Sequence, residues 1–223
     1  MEIYIDSANL ADIEAALERG FPSGITTNPS IMAKENRTDY RVHIGKIVEL
    51  IRRYGQELPL SVEVFSTDPD EMLQQAEEFV SFLEYSNLVV KIPIGWDELK
   101  VIKALRQRDI QVNCTCCMSY NQALMGALAG SNYVSLFYNR IRDVGYDAKS
   151  VVQQISSSLR SNGTDAKLIV GSIRHMVDVN EAFQAGADIV TVPPPFLPQL
   201  TKHPKTDEAV QQFITDFEKW SSG

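Results

Sequence analysis

One lysine stands where charge is costly. Lys91 lies in the run Leu88-Val89-Val90-Lys91-Ile92-Pro93-Ile94, whose composition reads as a strand buried on both faces, as in a parallel sheet. Burial disfavours an ammonium and enlarges the fraction of neutral, nucleophilic amine, the state that attacks a carbonyl to form a Schiff base. A lysine here can also snorkel to solvent or pair with a carboxylate, so its meaning depends on what meets it. At or just beyond the ends of other β-like runs stand Asp6; Thr26, Thr27 and Asn28; Glu63; Asn113 and Thr115; Ser135, with Asn139 and Arg140; Ser172 and Arg174; and Thr191. Each has an ordinary use: Asp6 as a helix cap, Thr26-Thr27-Asn28-Pro29 as turn chemistry, the arginines as solvated surface charge. Their joint placement forms one polar ring, which is the pattern of a reactive cavity.

The ring requires elements that bring those ends together. Short β-like runs cover Glu2 to Asp6, Ser23 to Thr26, Leu60 to Val64, Leu88 to Ile92, Gln111 to Thr115, Tyr133 to Phe137, Lys167 to Gly171 and Ile189 to Val192. Amphipathic helical stretches separate them. Pro69 to Leu83, for example, follows Asp68 as N-cap and sets Met72, Ala76, Phe79, Val80 and Leu83 on one apolar stripe. Strict alternation with short connections implies parallel strands and right-handed crossovers. About eight units favour closure into an α/β (β/α)8 barrel of the TIM type, with the active face at the strand C-termini. One domain over 1–223 is expected, with an additional C-terminal helix over about 206–220 carrying Val210, Phe213, Ile214 and Phe217 at helical spacing. An open dinucleotide-binding sheet needs a glycine-rich first turn, and Asp6-Ser7-Ala8-Asn9-Leu10 contains no glycine.

Composition narrows the partners. Lys plus Arg number 21 and Asp plus Glu 29, a formal net charge of −8, which argues against general attraction to nucleic acid or an anionic membrane. A small anionic substrate remains compatible, because a few placed arginines bind a phosphate inside an acidic protein. The N-terminus has no secretory pattern, and no apolar run approaches the ~18 residues of a membrane span; a cytoplasmic protein is expected. Cys114, Cys116 and Cys117 are odd in number and adjacent, unlike a disulfide framework. His43, His175 and His203 are scattered without ligand spacing, so no metal is expected. The cysteines read as small buried apolar residues, His175 as a helix-start residue, and His43 and His203 as surface positions.

Asp6, Gly24-Ile25-Thr26-Thr27-Asn28-Pro29-Ser30, Val89-Val90-Lys91-Ile92-Pro93, Asn139-Arg140-Ile141 and Gly171-Ser172-Ile173-Arg174 together resemble the transaldolase family, in the short-subunit branch that also holds the fructose 6-phosphate aldolases. The resemblance spans nearly the whole chain. It implies an eight-stranded barrel with the Schiff-base lysine on its fourth strand, the strand on which Lys91 falls. It also implies no cofactor, sugar phosphates as small-molecule partners, and a homo-oligomer, a pentamer or decamer, in which a C-terminal helix reaches a neighbour.

The resemblance also implies roles. Lys91 attacks the ketose carbonyl, Asp6 accepts the C4 hydroxyl proton, and Glu63 with Thr115 holds a catalytic water. Asn28 and Ser135 contact substrate hydroxyls beside Thr27 and Phe137, and Arg140, Ser172 and Arg174 bind phosphate. Within this branch, aldolases tend to carry glutamine in place of Glu63 and tyrosine in place of Phe137, so this chain is of the transaldolase type at both positions; Asn139-Arg140-Ile141 fixes the register against the adjacent Tyr138. Departures from the family pattern are the three cysteines around Thr115 and Ile173 in place of a phenylalanine.

Overall fold

The computed structural model describes residues 1–222. The first half runs β1 Glu2–Asp6, α1 Leu10–Leu17, β2 Gly24–Thr26, α2 Pro29–Met32, α3 Tyr40–Arg53, β3 Leu60–Glu63, α4 Pro69–Leu83, β4 Leu88–Pro93 and α5 Glu98–Arg106. The second half runs β5 Gln111–Cys117, α6 Tyr120–Leu128, β6 Tyr133–Phe137, α7 Tyr138–Asp143, α8 Ala148–Ser161, β7 Lys167–Gly171, α9 Met176–Gln184, β8 Ile189–Val192, a 3-10 segment Pro194–Thr201 and α10 Pro204–Ser221. The strands close in sequence order into one barrel. Every neighbouring pair is parallel, including β8 with β1, so the expected (β/α)8 barrel is the fold observed.

Alternation along each strand divides the molecule into an outer and an inner layer. Side chains such as Ile5, Val62, Val90, Ile92, Val134, Leu168 and Val190 point outward and join the main core with the surrounding helices. Inside the barrel, Tyr4, Val89, Tyr133, Ile169 and Ile189 form a separate apolar cluster. Two residues further along the same strands come Asp6, Lys91, Ser135, Gly171 and Thr191, which line the cavity above. The period of two thus places a dry floor directly beneath a polar layer. Gly24 makes room for that floor: a Cβ there would lie 2.4 Å from ring carbons of Tyr4, which is 1% exposed and cannot swing aside.

Local details follow from caps and one bulge. Asn9, whose side chain accepts from the Asp12 amide, caps α1, which releases Asp6 from the capping role its position permits. Asp68 caps α4 by accepting from the Asp70 and Glu71 amides. On that helix Met72, Ala76, Phe79 and Leu83 are buried, whereas Val80, at the edge of the expected stripe, is exposed. β5 runs on to Cys117 because the β5–β6 register shifts between Cys114 and Cys117. His203 caps α10, accepting from the Lys205 amide, and His175 opens α9. His43 departs from its expected surface position. It is buried, with Nε2 2.7 Å from the Ala8 carbonyl, tying α3 to the loop after β1.

The additional helix forms as expected, longer by a turn's fraction at its start. No residue of α10 is buried among the described residues; Val210, Phe213, Ile214, Phe217 and Trp220 stay exposed along one helical stripe. No helix among the described residues is long and apolar enough to cross a membrane.

Replacing Gly24 by alanine is expected to destabilise the protein by about 1–3 kcal/mol through overpacking of the floor, read from denaturant unfolding. Adding Tyr4→Leu should recover part of that loss, and strictly additive effects of the two changes would rule out the close approach.

Candidate active site

The mouth of the barrel at the strand C-termini holds a cavity of about 370 Å³. Nine of the eleven residues singled out for chemistry reach it: Asp6, Asn28, Glu63, Lys91, Thr115, Ser135, Phe137, Arg140 and Ser172. Thr26 and Thr191 join them, and Pro29, Ile31 and Met118 add apolar wall.

Lys91 sits at the centre of the polar layer. Glu63 and Lys91 are register partners on β3 and β4, which turns both side chains inward at the same height. The Lys91 Nζ lies 2.9 Å from Glu63 Oε2, with the two side chains only 6% and 10% exposed. Nζ also donates to the Thr27 carbonyl at 2.8 Å. An ammonium has three donors, so these two partners leave one N–H direction for the cavity. In the resting site the lysine is therefore compensated by a carboxylate as well as dehydrated, and transfer of one proton within the pair yields the free amine.

Asp6 occupies the neighbouring position over the floor. Burial holds its carboxyl above the ordinary carboxylate range; the charge of Lys91 and the Thr26 hydroxyl pull it back toward ionisation, while the charge of Glu63 pushes it further up. Thr26 Oγ1 donates to Asp6 Oδ1 at 2.8 Å and lies 2.6 Å from Thr191 Oγ1. Because a hydroxyl has one proton to give, Thr191 must donate to Thr26, and a two-hydroxyl chain from β8 through β2 fixes the carboxylate.

Thr115 and Glu63 carry unspent acceptor capacity. The Thr115 hydroxyl is fully buried with no hydrogen-bond partner among the described residues, and Glu63 Oε2 has none beyond its ion pair with Lys91. Buried orphan polar atoms cost about 1–3 kcal/mol each, and two beside a cavity match a water or substrate oxygen held between them. Ser135 donates to Asn113 Oδ1 at 2.7 Å, which keeps its lone pairs turned to the cavity. Asn28 caps α2 through Oδ1, accepting from the Ile31 amide at 2.9 Å, and so presents its NH2 as the free end.

Two of the eleven do not line the cavity, and neither do Asn113 and Asn139 of the expected ring. Thr27 turns its hydroxyl away to donate to the Ser61 carbonyl at 3.0 Å, since alternation follows the inward Thr26; only its main chain meets Lys91. Arg174 makes a two-bond pair with Asp143, at 2.8 and 2.7 Å, on the surface beside the mouth. Arg140 does line the cavity, with its guanidinium 5.6 Å from the centre of the Phe137 ring, a cation–π contact. Ser172 follows β7 in the left-handed region, at φ 59°, which points its hydroxyl toward the mouth.

Cys116 is a residue the sequence pattern hid. Alternation from Thr115 would send it outward with Cys114; Cys114 and Cys117 are both buried. The bulge and a left-handed backbone at φ 60° turn it into the cavity instead, a usual consequence of a bulge near a site. Its Sγ stands 3.9 Å from Glu63 Oε1, and burial together with the charge of Glu63 raises its thiol pKa. It is thus a cavity-lining thiol rather than core filling. No group of three or more His, Cys, Asp or Glu side chains among the described residues is arranged to hold a metal ion.

Comparisons with known proteins bear on the fold and the family. A fold-level likeness is found to a thiamine phosphate pyrophosphorylase from Pyrococcus furiosus, with a TM-score of 0.60 at 15% identity over 86% of this chain and 85% of that one, which bears on the barrel alone. Among sequence relatives, a probable transaldolase of Roseiflexus castenholzii is 39% identical over the whole length of both chains. Probable transaldolases of Moorella thermoacetica and Carboxydothermus hydrogenoformans are 40% and 38% identical over 98% of this chain and 98% of each relative. The family model described as transaldolase/fructose-6-phosphate aldolase matches residues 3–222, and the chain belongs to that family of enzymes.

Proposed function

We propose that this enzyme is a transaldolase of the pentose phosphate pathway, moving a dihydroxyacetone unit from sedoheptulose 7-phosphate to glyceraldehyde 3-phosphate to give erythrose 4-phosphate and fructose 6-phosphate. The observation that carries the proposal is the Lys91 amine held between Glu63 and the Thr27 carbonyl, in a cavity that also contains Asp6 and Phe137.

In the first half-reaction the freed Lys91 amine adds to the ketose C2 carbonyl. Glu63, having taken a proton from the lysine, returns it to the carbinolamine hydroxyl, which leaves as water and gives the iminium. Thr115 and Glu63 hold that water. Asp6 then accepts the proton of the C4 hydroxyl, the C3–C4 electron pair moves into the iminium, and an aldose phosphate departs from an enamine still bound to Lys91. The acceptor aldehyde takes the enamine carbon, with Asp6 returning its proton to the new hydroxyl, and water finally releases the ketose product from Lys91. Asn28 and Ser135 orient the hydroxyls, and Arg140 with Ser172 receives the phosphate; Arg174 joins them only after leaving Asp143.

Retention of the enamine distinguishes transfer from aldol cleavage. Phe137 offers no hydroxyl to place a water against the iminium, which supports transfer. The second reading, a fructose 6-phosphate aldolase that protonates the enamine and releases dihydroxyacetone, is favoured by the family description and by the orphaned Thr115 hydroxyl, which can serve a hydrolytic water. The uncovered stripe of α10 supports a homo-oligomer, which the family resemblance makes a pentamer or decamer, and three free thiols suit the cytoplasm.

Release of glyceraldehyde 3-phosphate from fructose 6-phosphate, followed by coupled NADH oxidation, is expected only with erythrose 4-phosphate present; comparable sustained release without it identifies the aldolase. Lys91→Ala should lose both turnover and the borohydride-trapped adduct, and an intact adduct in that variant would refute Lys91 as nucleophile. Because Asp6 must be ionised to act as base and burial raises its pKa, kcat/KM should fall as pH drops through a limb above the usual carboxylate range. Thr26→Val removes a hydrogen bond that favours the ionised form, so the limb should move to higher pH; an unmoved limb would count against Asp6. Deleting residues 204–223 should lower the sedimentation mass to that of a smaller assembly, and an unchanged mass would show that α10 does not join subunits.

A further inference from the structure

We infer that Asp178 is a positioning residue for the phosphate end of the cavity, holding together the two loops that carry Arg140 and Ser172. This rests on the proposed use of those two residues as the phosphate site. Asp178 is fully buried, lies in the first turn of α9 and is not among the cavity-lining residues. An acidic residue there ordinarily accepts from the amide at the helix start, and Asp178 Oδ2 does accept from the His175 amide at 2.8 Å.

Three further donors exceed what a cap requires. Oδ2 also accepts from the Arg174 amide at 3.0 Å and from Asn139 Nδ2 at 2.6 Å, and Oδ1 accepts from Arg142 Nη1 at 2.8 Å. Asn139 and Arg142 belong to α7, the short helix after β6. They flank Arg140 at one and two residues' distance in the chain. The Arg174 and His175 amides belong to the loop after β7, which begins with the left-handed Ser172. The second proton of the Asn139 amide goes to the Ser172 carbonyl at 2.8 Å. One carboxylate and one carboxamide therefore clamp the two loops from beneath.

The clamp has a reason in electrostatics. A phosphate needs donors fixed in place before it arrives, or the binding energy is spent on ordering them. Arg140 is exposed and rests over the Phe137 ring, so its position depends on the backbone of α7. Ser172 depends on a backbone conformation that a non-glycine residue rarely holds without support. Both supports converge on Asp178. The outer pair of Arg174 with Asp143 joins the same two loops at the surface, where solvent weakens it.

The test compares Asp178→Ala, Arg142→Gln and Arg140→Ala with the wild-type enzyme. The readouts are kcat and KM for fructose 6-phosphate at fixed erythrose 4-phosphate, the inhibition constant of inorganic phosphate, and the thermal midpoint. Asp178→Ala should raise KM and the phosphate inhibition constant together by about tenfold or more, the scale for losing charge-assisted hydrogen bonds, while kcat at saturation changes by less than about threefold. Arg142→Gln, whose side chain is half exposed and whose removal leaves the core intact, should move both constants in the same direction by a smaller factor, and it carries the test if Asp178→Ala does not fold. A purely structural Asp178 would instead lower the thermal midpoint and the active fraction, hence kcat, with KM and phosphate inhibition unchanged; that outcome overturns the proposal. If Arg140→Ala itself leaves KM and phosphate inhibition unaltered, the phosphate site is elsewhere and the proposal falls with it, an outcome distinct from one in which Arg140 matters and Asp178 does not.

Discussion

The pairing of Lys91 with Glu63 inside the barrel mouth is the interaction on which the site depends. Two charges so little exposed each lose several kcal/mol of hydration, and removing either partner from a buried pair costs about 3–5 kcal/mol. The fold meets that demand with register: β3 and β4 place the two residues side by side, and the Thr27 carbonyl arrives from β2 to take a second proton of the amine. Such an arrangement is unlike a desolvated lysine standing alone. In the proposed mechanism it keeps the proton next to the amine, so that nucleophile and proton donor arise in one step.

Beneath this layer, the apolar floor decides the electrostatics. Tyr4, Val89, Tyr133, Ile169 and Ile189 fill the barrel below the carboxylates and keep water from approaching from that side. Asp6 bears the consequence, since its carboxyl is raised by burial and rescued by Lys91 and Thr26. The floor in turn depends on Gly24, where an added Cβ would strike the Tyr4 ring. A glycine at the start of a strand and a carboxylate at the end of its neighbour are thus parts of one packing solution.

Much of this was legible in the sequence because period-two alternation and strand ends are one-dimensional signals. Eight apolar runs predicted the barrel, and the polar residue closing each run predicted the ring, including Lys91 on the fourth strand. Apart from Thr27, the differences share a physical cause: each depends on a contact between elements or on a local break in periodicity. Cys116 faces the cavity only because a bulge inserts a residue. Thr27 follows alternation, and the pattern that placed Thr26 inward already implied that Thr27 points out. Arg174 reached the expected loop, but its guanidinium is taken by Asp143, a partner thirty-one residues away in the chain. His43 and Asp178 sit on helices where nothing local marks a buried polar group as bonded rather than solvated.

In the proposed reaction, transfer and aldol cleavage differ in whether the enamine carbon is protonated before an acceptor aldehyde arrives, and the site distributes polarity unevenly around Lys91. On the side of β3 and β5, Glu63, the orphaned Thr115 hydroxyl and the Cys116 thiol meet; on the side of β6, Phe137 closes the wall beneath Arg140. In the proposed reaction, water held on the first side leaves from, and returns to, the carbinolamine carbon. Protonation of the enamine carbon requires a donor elsewhere, over the face that the departing aldehyde vacates. There, in the proposed reaction, Asp6 holds the proton taken from the C4 hydroxyl, and the burial that raises its proton affinity opposes giving it to carbon before an acceptor aldehyde arrives. The same burial that makes Asp6 a stronger base than an exposed carboxylate therefore also favours an enamine that waits.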